Sequence, residues 1–122
     1  MAPPRRVYVD TNVFIRLFEG TDEVSRELAR LFLIERKSSE QYLDTSELAL
    51  AELLVGPYKS KDDRLISLYD NWTVSNSFLE AGPVTRDALW YAAVLRSQHV
   101  HLRLPDAIHL STAIGMRCSH FL

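Results

Sequence analysis

Short β-favouring runs alternate with longer helical segments along the whole chain, and this alternation restricts the fold more than any other feature of the sequence. Strands separated by helices of this length are joined in parallel, since a parallel crossover needs a connection of about a dozen residues. A parallel sheet must in turn be covered on both faces. The expected architecture is therefore an α/β domain, with a central parallel sheet of about four to five short strands flanked by helices.

Val7-Tyr8-Val9 is the first β-favouring run, and Asp10-Thr11-Asn12 ends it with residues able to stop a strand and cap a helix. Phe14, Leu17 and Phe18 then recur at helical spacing until Gly20. Thr21 is placed to cap a second helix, with Asp22 and Glu23 in its first turn and Val24, Leu28, Leu31 and Phe32 towards the core; its end falls near Lys37 and Ser38. Gln41–Thr45 is a second strand, after which Thr45 or Ser46 caps an apolar helix that runs from Glu47 to Val55 and stops at Gly56-Pro57. A helix over Ser60–Tyr69 follows, then a weak third strand at Trp72-Thr73-Val74. Gly82-Pro83 marks a turn, and Thr85 caps a helix through Leu89, Ala92, Ala93 and Leu95. His99–Leu104 reads as either loop or strand. Pro105 opens a last helix over Asp106 to about Ile114, closed by Gly115 and followed by a strand over Ser119–Leu122.

Composition narrows the function classes. With 14 Lys and Arg against 16 Asp and Glu, the net charge demands no polyanionic partner, and nucleic-acid contact would need a local basic patch. Arg5, Arg6, Arg16, Lys59, Lys61 and Arg103 are the candidates for such steering. Cys118 is the single cysteine, which excludes an internal disulfide and fits a reducing, cytosolic setting. No apolar run approaches the roughly 20 residues of a membrane-spanning helix. The glycines are too scattered for a phosphate-binding loop, and no Gly-x-Ser-x-Gly elbow is present.

Polar residues just after strands matter most in such a fold, because open parallel sheets bind ligands beyond the carboxyl ends of their strands. Asp10 sits there, although helix capping also explains it. Glu52 is harder to account for structurally: Leu48, Ala49 and Val55 surround it at helical spacing, and a carboxylate on an apolar face is costly unless paired or metal-bound. Asp106 lies in the first turn of the last helix, where the dipole alone favours an acid. Carboxylates brought to about 4 Å repel by roughly 4 kcal/mol at an effective dielectric near 20, so clustering them requires a cation. Oxygen donors point to Mg²⁺ or Mn²⁺, which can activate water and neutralise charge on a phosphodiester. His99, His101, His109 and His120 offer general bases, and the i, i+3 spacing puts His109 on the helix face of Asp106.

Val-Tyr-Val-Asp10-Thr-Asn, Thr45-Ser-Glu-Leu-Ala-Leu-Ala-Glu52-Leu-Leu-Val-Gly-Pro57 and Leu104-Pro-Asp106-Ala-Ile-His-Leu-Ser-Thr-Ala113 resemble, in order and spacing, the acidic motifs of VapC-like PIN domains. The resemblance spans residues 1–122 as a single PIN-like domain of three layers. It implies a cytoplasmic, metal-dependent endoribonuclease toxin of a type II toxin-antitoxin system, with Asp10, Glu52 and Asp106 binding Mg²⁺ or Mn²⁺ and directing water at RNA. Thr11 and Asn12 would then be polar supports, and Ser46 would shape the rim. The implied partners are an RNA substrate, a VapB-like antitoxin seated in a hydrophobic groove to which Phe14, Leu17 and Phe18 are candidates, and a second copy in a homodimer.

Family chains usually continue past a strand like Ser119–Leu122 into a Thr-Asn-Asp-type motif bearing a fourth acid, whereas this sequence ends at Leu122. It therefore reads as truncated at the C-terminal end relative to the family. The alternative function is a catalytically impaired PIN-like module that binds an antitoxin without turnover.

Overall fold

A computed structural model describes residues 5–33, 41–74 and 79–122, with backbone alone for residues 31–33, 41 and 42. Four strands lie in one sheet in the order β3-β2-β1-β4: β1 (Arg5–Tyr8), β2 (Gln41–Ser46), β3 (Leu79–Gly82) and β4 (His120–Phe121). Every pairing is parallel, with Tyr8 opposite both Asp44 and Phe121. Six helices flank the sheet among the described residues: α1 (Thr11–Glu19), α2 (Glu23–Leu33), α3 (Leu48–Ser60), α4 (Asp63–Trp72), α5 (Arg86–Gln98) and α6 (Leu104–Gly115). This is the expected three-layer α/β domain.

Strand alternation sorts the core onto the two faces. Val9, Phe14, Leu43, Leu53, Tyr69 and Leu79 form one cluster, in which α1, α3 and α4 cover the sheet, with Val7 and Phe18 packed against it. Tyr8 turns the other way, against His109 of α6, and stacks on Phe121 with ring centroids 5.1 Å apart. Ala92 of α5 and Ala107 and Ile108 of α6 form a second, smaller cluster. Phe14 is thus a core residue, while Leu17 and Phe18 are half-buried.

Several local expectations are corrected. The third strand is Leu79–Gly82, while Trp72 closes α4 and Thr73 caps it. Gly56-Pro57 does not stop α3, which runs on to Ser60 and ends at Lys61 in the left-handed region, φ 58°. The pair passes through the helix because Gly56 has no Cβ to clash with the following proline ring. Asp22, not Thr21, caps α2 by accepting from the Ser25 backbone at 2.8 Å, and α2 turns Ser25 rather than Val24 inward. The side chains of Leu31 and Phe32, and the expected helix end near Lys37 and Ser38, lie outside the described residues. The 60–69 helix is shifted to Asp63–Trp72, with Asp62 as its cap. Residues 99–103 form a turn leading into α6, which begins at Leu104.

One buried charge is satisfied within the sheet. Asp44 on β2 is fully buried and accepts from Arg6 Nε at 2.9 Å and Arg6 Nη2 at 2.7 Å, and the Cys118 thiol donates to the same carboxylate at 3.1 Å. Arg6 also reaches Glu80 on β3, so this candidate for steering a nucleic acid is a structural residue.

Candidate active site

The strand order changes direction at β1, and Asp10 follows the end of that strand, where a doubly wound sheet places its ligand. Its backbone is fixed from both sides. Val9 N–H donates to Asp44 O at 2.8 Å, Thr45 Oγ1 donates to Val9 O at 2.9 Å, and Asp10 N–H donates to Leu122 O at 3.0 Å. Asp10 occupies the N-cap position of α1, yet its side chain makes no capping hydrogen bond. The carboxylate is therefore available for other use, which removes the simplest structural explanation for an acid at this position.

Glu52 arrives from the second turn of α3, where Ala49 and Leu53 are buried. Its carboxylate escapes the apolar surroundings by reaching sideways to polar partners. Thr11 Oγ1 donates to Glu52 Oε1 at 2.8 Å, and His109 Nε2 lies 2.5 Å from the same oxygen. His109 Nε2 is also 4.0 Å from Asp10 Oδ1, so the two carboxylates converge on one imidazole edge. Asp10 and Glu52 side chains remain 24% and 30% exposed, whereas that of His109 is 1% exposed. The pair thus opens to solvent from a closed floor.

The floor joins His109 and Ser46 to Tyr8, a residue that the sequence does not single out. Tyr8 is fully buried beneath His109, with its phenolic oxygen 2.5 Å from Nδ1. Burial raises the Tyr8 phenol above its ordinary value, with hydrogen bonding from Ser46 opposing the rise. Ser46 is fully buried and accepts from the Leu48 backbone at 3.1 Å, which orients the start of α3. The spacing of His109 to Asp106 draws attention to this histidine, but the fold pairs it with Glu52. Periodicity along one helix cannot report a contact between α6 and α3.

Asp106 stands apart from this pair. Its half-exposed carboxylate accepts from Arg103 Nε at 3.2 Å, across the N-cap of its own helix. Among the described residues no three His, Cys, Asp or Glu side chains are grouped closely enough to hold a metal ion. Asn12 is exposed on the first turn of α1. Two convergent carboxylates that share one imidazole edge suit a hard divalent cation in donor chemistry, and Asp106 lies one helical turn from His109 on α6.

Residues 7–121 match the model of the PIN domain. Among solved structures, a toxin-antitoxin complex from Klebsiella pneumoniae is 25% identical with a TM-score of 0.64, over 93% of this chain and 82% of that one. VapC20 of Mycobacterium tuberculosis, described as a sarcin-ricin loop cleaving toxin, is 18% identical with a TM-score of 0.76, over 94% of this chain and 86% of that one. VapBC2 of Rickettsia felis, bound to a DNA fragment from its promoter, is 21% identical with a TM-score of 0.69, over 94% and 84%. The last two likenesses show the fold. No curated protein matches the chain.

Proposed function

The chain belongs to the PIN-domain family, and on that premise we propose that it is a Mg²⁺- or Mn²⁺-dependent endoribonuclease toxin of the VapC kind, acting on RNA in the cytoplasm. The observation that carries this reading is the convergence of Asp10 and Glu52 on His109 Nε2, with the Asp10 carboxylate not engaged in capping. Asp10 and Glu52 would hold the ion, with Asp106 as third carboxylate. A bound divalent ion supplies charge neutralisation at the scissile phosphate and a water of lowered pKa. The chain's own part is to keep the carboxylates oriented and open to solvent on one side. Thr11 does this for Glu52 through its 2.8 Å hydrogen bond. Asp44 and Thr45 of β2 and Leu122 beyond β4, which hold the main chain at Val9 and Asp10, do it for Asp10.

A VapB-like antitoxin is the proposed regulatory partner, in line with the toxin-antitoxin complexes among the similar structures. The surface cleft between α1 and α4, lined by Phe18, Glu19, Leu65 and Leu68, supports this with an apolar floor beside charged rims. A homodimer belongs to the same reading. No helix among the described residues is long and apolar enough to cross a membrane.

The Arg103–Asp106 ion pair favours a second reading, in which the module binds an antitoxin without turnover. Cleavage of total cellular RNA separates the two. The proposal expects cleavage with Mn²⁺, none with EDTA, and none from a folded Glu52→Gln variant. Absence of cleavage by the folded wild type with saturating Mn²⁺, together with retained antitoxin binding, would establish the impaired module instead.

A further inference from the structure

His109 is the one fully buried imidazole of the described site, and both ring nitrogens are engaged: Nδ1 is 2.5 Å from the Tyr8 hydroxyl, and Nε2 is 2.5 Å from Glu52 Oε1. A carboxylate oxygen can only accept, so the proton in the second contact resides on the imidazole Nε2. The Nδ1 lone pair is then left to accept from Tyr8, whose phenol is placed to donate. Thr11 Oγ1 also lies 3.3 Å from Nε2, but its hydrogen is spent on Glu52 Oε1 at 2.8 Å. One oxygen of Glu52 therefore receives two donors from two different helices, α1 and α6.

We propose that His109 is a positioning residue: an imidazole that carries its proton on Nε2 and, together with Thr11, fixes Glu52 Oε1 and presents Oε2 to a divalent cation. The proposal rests on the metal-dependent reading above and adds to it a role for the Tyr8–His109 pair. A ring already hydrogen-bonded at both nitrogens has no lone pair for the metal, so His109 acts only through Glu52. Partner groups of this kind orient a ligand and fix its basicity, and losing them typically costs ~10–100-fold in metal affinity. Tyr8 fixes the tautomer. Without its hydroxyl the ring can protonate on Nδ1 and turn a lone pair towards the Glu52 carboxylate, which repels it.

Two measurements on the full chain test this. Long-range ¹H–¹⁵N correlation spectra of the metal-free protein give the protonated ring nitrogen of His109. Calorimetric titration with Mn²⁺ alone compares wild type with His109→Leu, His109→Gln and Tyr8→Phe. The expected result is an Nε2–H tautomer, a loss of ~10–100-fold in Mn²⁺ affinity in His109→Leu and Tyr8→Phe, and substantial retention in His109→Gln, whose amide can donate to Glu52. Tyr8→Phe keeps the ring and its packing, so it reports even where His109→Leu does not fold. An Nδ1–H tautomer in a protein that binds Mn²⁺, or unchanged affinity in a folded Tyr8→Phe, overturns the positioning role and leaves the metal reading intact. An Nε2–H tautomer in a wild type that binds no Mn²⁺ overturns the metal reading, and the positioning role falls with it.

Discussion

Thr11 donates to Glu52 across 41 residues of sequence, and this 2.8 Å hydrogen bond ties the first turn of α1 to the second turn of α3. Because Thr11 is only 6% exposed, its hydroxyl has little water to fall back on. Thr11→Val is expected to cost about 1 kcal/mol of stability and to weaken Mn²⁺ binding. Denaturant melts with and without Mn²⁺ read both effects. A variant as stable as wild type with unchanged Mn²⁺ affinity would show that the bond holds nothing in place.

Asp10→Asn separates catalysis from folding. The Asp10 side chain makes no capping bond and faces a second carboxylate across the His109 edge, so neutralising it is expected to leave the metal-free protein equally or more stable. Wild type at a Mn²⁺ concentration about 100 times its Kd should gain about 2.7 kcal/mol. The variant should gain far less. Thermal scans at matched metal concentrations measure this difference, and equal metal-induced shifts would remove Asp10 from the site.

Arg6 and Asp44 are predicted to behave as one unit. Arg6→Met leaves the fully buried Asp44 carboxylate without its guanidinium and is expected to destabilise the fold by about 3–5 kcal/mol. Arg6→Met combined with Asp44→Leu should recover most of that loss, since neither charge then remains buried and unpaired. A double-mutant cycle in urea gives the coupling, and additive losses would contradict the pairing.

Alkaline pH should weaken the native state. Burial, with the Asp44 carboxylate beside it, pushes the Cys118 thiol up to about 12 from an ordinary value of 9.0. Burial likewise raises the Tyr69 phenol, whose hydroxyl donates to Glu19. The native protein therefore keeps protons that the unfolded chain releases, and stability falls as pH rises from about 9 towards about 12. Native Cys118 should also react slowly with thiol reagents at pH 8 and quickly once unfolded. Urea midpoints that stay flat across this range, with rapid native labelling, would contradict the burial.

Much of this structure is legible in the sequence, for identifiable reasons. The strand–helix alternation, Thr85 as the α5 cap and Pro105 at the start of α6 depend on neighbouring residues alone, and the chain folds accordingly. Leu79–Gly82 escapes notice because a four-residue strand ending at Gly-Pro carries little alternation, while Trp72-Thr73-Val74 has strand propensity that the end of α4 overrides. The positions of Asp10 and Glu52 follow from pattern, but their shared partner does not. Tyr8 and His109 are 101 residues apart, and no spacing rule links them. Arg6 shows the reverse failure: its charge suggested a surface role, and only the parallel register of β1, β2 and β3 reveals the acids that hold it.

The most direct test of the account is a crystal of the chain grown or soaked with Mn²⁺ and measured at a wavelength where manganese scatters anomalously. The account requires an anomalous peak in contact with the carboxylates of Asp10 and Glu52, at about 2.0–2.3 Å from their oxygens, with His109 Nε2 still on Glu52 Oε1. A peak elsewhere, or none at saturating Mn²⁺ in a well-ordered crystal, would contradict it.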